Sequence, residues 1–161
     1  MFNAAVLTIS TSGAKGERID TSGPNLVSIL KNLNFDVLYA GIVTDDKEVI
    51  KNKLTYLVNN NFNLIITTGG TGFSKSDITP EATLDIIDKN VPGIPEIMRV
   101  KTFDITNRSI LSRGIAGIKN ESLIINLPGS KKAAEECFLV VKDAILHGLQ
   151  ILKTDGTNNC D

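Results

Sequence analysis

The chain is expected to fold as a three-layer α/β/α domain, a mostly parallel sheet with helices on both faces. Three observations predict it. Short apolar runs rich in β-branched residues recur along the chain and end in clusters of Gly, Ser, Thr or Asp. Between them lie stretches with apolar residues at spacings of three and four. The length of 161 residues, 42% of them apolar, suffices for one buried core.

Residues 4–9 read as the first strand. The polar stretch 10–22 has no period and is long for a plain connection, which marks it as a functional or mobile loop. Thr21 or Ser22 then offers an N-cap, Pro24 sits near the first helical position, and Leu26, Ile29, Leu30 and Leu33 repeat at helical spacing. Residues 35–43 form a second strand, and Asp45 or Asp46 caps a helix carrying Val49, Ile50, Leu54, Leu57 and Val58. Residues 63–68 are a third strand, entering Gly69-Gly70-Thr71-Gly72. Thr79-Pro80-Glu81 starts a helix with Ala82, Ile86 and Ile87 on its apolar face; it ends near residues 88–90, before Val91-Pro92-Gly93. Pro95 opens another helix through Ile97, Met98 and Val100. Residues 109–119 read as irregular structure or a short strand, and 122–127 as the last clear strand. Ser130 caps a long helix with Ala134, Cys137, Phe138, Val141, Ile145, Leu149 and Leu152 on one face. A single domain thus covers residues 1–153, followed by a frayed polar tail over 154–161.

Composition removes several function classes. Seventeen Lys and Arg against 18 Asp and Glu give a net charge of −1, which argues against a sequence-independent nucleic-acid binder, and six Phe, two Tyr and no Trp supply little base stacking. No apolar run approaches the roughly 20 residues of a membrane span. The first residues lack a basic n-region, so a cytoplasmic protein is expected. Cys137 and Cys160 are too few for a metal cluster and read as unpaired thiols. His147, inside the long helix, is assigned no catalytic role.

The strongest chemical feature is the run Thr67-Thr68-Gly69-Gly70-Thr71-Gly72, continued through Asp77 to Thr79-Pro80-Glu81. Three glycines within four residues at a strand end let backbone N–H groups converge on one point, as an oxyanion or phosphate requires; a turn that merely needs positive φ has the same composition. A P-loop is excluded, because Ser74 stands where its second glycine belongs and Pro80 would break the helix that must follow. Asp45 and Asp46 follow the second strand, Asp77 follows the third and Asp20 ends the first long loop, so a parallel sheet would bring them to one edge. Facing carboxylates beside a phosphate site can hold Mg²⁺; helix capping is the competing use of Asp45 or Asp46, whereas Thr79 reads as a better cap than Asp77. Asn126-Leu127-Pro128-Gly129-Ser130 leads a strand into a second helix N-terminus, where a second anionic group can bind. Arg99, Arg108, Arg113, Lys131 and Lys132 are scattered.

These residues, in this order, resemble the MoaB/Mog family of molybdenum cofactor biosynthesis over roughly residues 4–152. The segments that carry the resemblance are Thr8-Ile9-Ser10, Gly16-Glu17-Arg18 with Asp20, Ser22-Gly23-Pro24, Ile42-Val43-Thr44-Asp45-Asp46 and the TTGGTG loop with Asp77 and Thr79-Pro80-Glu81-Ala82-Thr83. They continue in Pro92-Gly93-Ile94 with Glu96 and Met98-Arg99, Leu111-Ser112-Arg113-Gly114 with Ala116-Gly117, and Leu127-Pro128-Gly129-Ser130. The resemblance implies a homotrimer, or a hexamer in some relatives. It also implies adenylylation of molybdopterin by Mg-ATP with release of pyrophosphate, upstream of a molybdenum-insertion protein. Asp45 and Asp77 would be the catalytic, Mg²⁺-linked carboxylates. Thr68, Gly69, Gly70, Thr71 and Gly72, with Pro128, Gly129 and Ser130, would line the pterin and nucleotide site. The chain departs from the family's common pattern at Thr11 and Ser76, where Asp and Arg are usual. Retention of Asp45 and Asp77 favours the enzyme; the two departures favour a non-catalytic molybdopterin-binding or scaffold relative.

Overall fold

The structure, a computed structural model, describes residues 1–154. Apart from Thr154, the expected polar tail lies outside the described residues, as does Cys160. The element order is β1 (Asn3–Ile9), α1 (Thr11–Ala14), α2 (Ser22–Asn32), β2 (Asp36–Val43), α3 (Lys47–Asn59), β3 (Leu64–Thr68) and α4 (Thr79–Leu84). It continues with β4 (Lys89–Asn90), α5 (Gly93–Thr102), a 3₁₀ turn (Asn107–Leu111), β5 (Ala116–Lys119), β6 (Ser122–Leu127) and α6 (Lys131–Lys153).

The strands form one sheet in the order β2-β1-β3-β6-β5-β4. The first four are parallel, and β5 and β4 turn antiparallel at one edge. β1, β3 and β6 are buried on both faces, which is why their sequences are nearly continuous apolar runs and do not alternate with polar residues. Successive side chains of β1 divide between the layers. Ala4 and Val6 pack with Leu64, Ile66 and Ile125 against Leu26 and Leu30 of α2, Met98 of α5 and Phe138 of α6. Ala5, Leu7 and Ile9 pack with Ile65 and Ile124 against Ile50, Leu54 and Leu57 of α3 and Ala82 of α4. Each such fully buried large aliphatic side chain contributes about 1.5–3 kcal/mol relative to exposure. The expected three-layer fold is the observed one.

Four local expectations are corrected. The stretch 10–22 is not wholly loop, because Ser10 Oγ accepts from Gly13 N and starts the short α1. The cap position of α2 is Thr21, one of the two expected, but its side chain makes no capping bond; Asp20 Oδ1 takes that part, accepting from Ser22 N and Gly23 N, both at 3.0 Å. Thr79 is no cap either; it lies inside α4 and its hydroxyl donates to Gly69 O at 2.9 Å. Finally, α4 ends at Leu84, short of 88–90, because Asp88 N turns to Ile118 O at 2.8 Å and Lys89–Asn90 joins β5. Leu84 itself is exposed.

Candidate active site

Parallel pairing aligns the carboxyl ends of β2, β1, β3 and β6: Ile9 lies opposite Val43, Thr8 opposite Thr68, and Thr68 opposite Leu127. The loops leaving these ends enclose a cleft of about 700 Å³, the location expected for ligands on a parallel sheet. Ser10 to Gly13 and Asp20 to Ser22 form one wall. Asp45, Thr68, Gly69, Gly70, Ser76, Asp77, Gly129 and Ser130 lie along the remainder.

The glycine turn is built on positive φ, 104° at Gly69 and 66° at Gly70. Any larger residue is excluded twice over, since a Cβ at Gly69 would meet Ile9 O and one at Gly70 would meet Thr79 Oγ1. Gly69 N donates to Leu127 O at 3.1 Å, which docks the turn against the end of β6. Thr68 lines the cleft, but its hydroxyl donates to Pro128 O at 2.7 Å and lies 2.8 Å from Ser22 Oγ, so it fastens three cleft segments together. Ser130 Oγ accepts from Ala133 N at 3.2 Å and caps α6, so that Gly129 and Ser130 bring the N-terminal, positive end of that helix to the cleft lining.

The carboxylates have separate tasks. Asp46 caps α3, its Oδ1 accepting from Val49 N at 2.9 Å, which settles the choice between Asp45 and Asp46 and leaves Asp45 in the cleft. Asp45 Oδ2 accepts from Thr11 N and Thr11 Oγ1, and no described residue donates to its Oδ1. Asp77 Oδ2 accepts from Ser74 N at 3.0 Å, and its Oδ1 likewise has no donor among the described residues. Asp20 is consumed by structure: Oδ2 accepts from Thr8 Oγ1 at 2.6 Å while Oδ1 caps α2. Among the described residues no cluster of three or more His, Cys, Asp or Glu side chains forms a metal cage. Two carboxylates, each with a free oxygen, instead suit Mg²⁺, which takes one or two protein ligands and completes its shell with water and substrate phosphate.

Gly72 and Pro128 line a second, apolar cavity of about 360 Å³ behind the loop, with Met98, Thr102 and Cys137, and Thr71 lines neither space. Burial pushes the Cys137 thiol up; Glu136 adds to this and a Thr102 hydrogen bond opposes it, so the buried sulfur is held as the inert thiol. His147 is exposed on α6.

Sequence reasoning missed Arg113 as a site residue. It follows the 3₁₀ turn and donates from Nε to Gly72 O at 2.8 Å, from Nη2 to Asp77 O at 2.9 Å, and from Nη1 to Glu81 Oε1. For Glu81, burial pushes the carboxyl up, but the Arg113 hydrogen bond and charge, with Lys47, outweigh it and leave the carboxyl below its ordinary value. Arg113 is 41 residues from Gly72 in sequence, so no local spacing announces the pair.

Comparison with known proteins agrees with this architecture. A family model described as "probable molybdopterin binding domain" matches residues 5–147. The molybdopterin adenylyltransferase of Helicobacter pylori (strain ATCC 700392 / 26695) is 39% identical over 154 residues, covering 94% of this chain and 88% of that protein. Gephyrin of Dictyostelium discoideum is also 39% identical, over 92% of this chain, but the chain spans only 22% of gephyrin's length. The crystal structure of the molybdopterin biosynthesis enzyme MoaB from Thermus thermophilus superposes with a TM-score of 0.91 at 38% identity, covering 96% of this chain and 98% of that one. The chain belongs to the MoaB/Mog family of molybdenum cofactor biosynthesis.

Proposed function

We propose that the chain is a molybdopterin adenylyltransferase, joining molybdopterin to the adenylyl group of ATP in a Mg²⁺-dependent reaction. The observation that carries this reading is the charge of the cleft. Glu17, Asp20, Asp45 and Asp77 line it against Arg18 as the one basic side chain among the described lining residues. Two polyanions can meet there only if a divalent cation and backbone donors neutralise them. The spare oxygens of Asp45 and Asp77 are the places to hold that cation, and the N–H groups of Gly70, Gly129 and Ser130 are the donors, Gly69 N being held by Leu127 O.

In the proposed step a terminal phosphate oxygen of molybdopterin attacks the α-phosphorus of ATP. A new P–O–P link forms, the bond from the α-phosphorus to the bridging β-oxygen breaks, and pyrophosphate leaves with that electron pair. Bound Mg²⁺ would supply charge neutralisation on the phosphates. The chain's own part is positioning. The two glycine turns fix the phosphates, α6 offers its positive end, and Thr11 and Arg113 hold the two carboxylate segments in place. No covalent nucleophile is needed, consistent with the position of Cys137 outside the cleft lining.

A homotrimer, or a hexamer of two trimers, is the proposed working unit. Val100, Phe103, Ile105, Ile110 and Leu111, on α5 and the segment after it, are 44–64% exposed and provide an apolar face for such assembly. The adenylylated product would pass to a molybdenum-insertion protein, in the cytoplasm; among the described residues no helix is long and apolar enough to cross a membrane. ATP labelled at the α-phosphate tests the reading: the label should move onto molybdopterin. Molybdopterin bound with all label left in ATP would instead identify a binding protein.

A further inference from the structure

We propose that Arg113 is a positioning residue that fixes the segment between the glycine turn and α4, and thereby sets the Asp77 carboxylate in the cleft; the kinetic part rests on the adenylyl transfer proposed above. Residues 73–76 are exposed, and Asp77 gains no anchorage from its carboxylate bond, because Ser74 N belongs to the same segment. Among the described residues, every hydrogen bond joining residues 71–77 to a segment beyond this loop comes from Arg113. Its backbone N donates to Thr71 O at 2.8 Å, Nε to Gly72 O at 2.8 Å and Nη2 to Asp77 O at 2.9 Å. Nη1 reaches Glu81 on α4. One guanidinium therefore ties the start of the segment, its end and the following helix to the connection before β5.

The chemistry requires Arg at this place. Three nitrogens in a rigid plane donate to three separate acceptors, whereas a Lys ammonium carries its donors on one atom and cannot span them. Arg113 does not line the cleft, so it acts on the reaction through Asp77 and not by touching substrate. Asp77 is held from outside the loop by its main-chain carbonyl, which leaves Oδ1 of its carboxylate open to a ligand.

The test compares wild type, R113K, R113A and E81Q by hydrogen exchange of peptides covering 71–78, with steady-state kinetics alongside. In R113K and R113A, exchange across 71–78 should rise while peptides of β1, β3 and β6 stay protected. Misplacing Asp77 should lower kcat by about a hundredfold, a loss larger than any change in KM for ATP. Millimolar guanidinium should restore part of the R113A rate and none of a D77N rate. E81Q, which keeps the three main-chain acceptors, should perturb 71–78 less than either Arg113 variant. Unchanged exchange at 71–78 in both Arg113 variants overturns the proposal, as does loss of protection throughout the sheet in both, which would make Arg113 a general fold residue. A kcat unaltered in R113K overturns it as well. If wild type transfers no adenylyl group, the activity reading fails, while the exchange contrast still decides the role of Arg113.

Discussion

Thr11 and Asp45 hold each other reciprocally across 34 residues of sequence: Thr11 N and Thr11 Oγ1 both donate to Asp45 Oδ2 at 2.8 Å, and Asp45 N donates back to Thr11 Oγ1 at 3.0 Å. The family resemblance implies Asp at position 11. Here a hydroxyl that both donates and accepts closes the pair with one carboxylate and avoids setting two against each other. The departure at Thr11 thus leaves Asp45 held at the cleft lining, with no described residue donating to its Oδ1.

T11V keeps the side-chain shape and the amide donor but removes the hydroxyl. A hydrogen bond to a charged group contributes about 1.5–3 kcal/mol, so kcat/KM should fall by about tenfold or more. T11S should retain most of the rate, because its hydroxyl makes the same contacts. Steady-state kinetics of the two variants check this, and equal loss in both would refute a role for the hydroxyl.

D45N and D77N remove the negative oxygens assigned to the cation. Each should lower adenylyl transfer by about a hundredfold or more with an unchanged circular dichroism spectrum. The Mg²⁺ concentration for half-maximal rate should rise in both. A normal rate in D77N would remove Asp77 from the mechanism.

Gly70→Ala places a Cβ at φ 66° and against Thr79 Oγ1. Strain of this kind costs about 1–3 kcal/mol, which for a domain of this size is a fall of several degrees in Tm. Thermal unfolding of the purified variant measures it; an unshifted Tm would mean the turn relaxes freely.

The Arg113–Glu81 pair makes a pH prediction. The folded carboxyl lies below its ordinary value, so the pair adds stability above the unfolded pKa of about 4.3 and loses it as pH falls through the folded value. The stability difference between wild type and E81Q should therefore be flat near neutrality and shrink below about pH 4. Urea titrations from about pH 7 down to about pH 3 follow it, and a gap that widens with acid would reverse the assignment.

Much of the scaffold was legible because burial dictates it locally. Residues 64–66 and 123–125 are continuous apolar runs since both faces of the central strands are covered, and Ser130 announces α6 with its own side chain. Where tertiary pairing overrides local preference, the sequence misleads. Ile86 and Ile87 continue a helical spacing, yet α4 stops at Leu84 because the chain must reach β5. Thr21 occupies the cap position of α2 as expected, yet the capping oxygen comes from Asp20, because Thr8 holds that carboxylate's other oxygen. In the site, Asp45, Asp77 and the glycine turn stood out by residue type, and the structure lines them up on one cleft. Arg113 did not, and Thr11 stood out only as a departure from the family pattern, since their function lies in long-range hydrogen bonds that no spacing encodes.

Pyrophosphate release from Mg-ATP by the purified chain, with and without molybdopterin, bears most directly on the proposed reaction. Release should be stoichiometric with adenylylated molybdopterin, require Mg²⁺, and disappear when either molybdopterin or the Asp77 carboxylate is removed. Protein that binds molybdopterin but releases no pyrophosphate above background would contradict it.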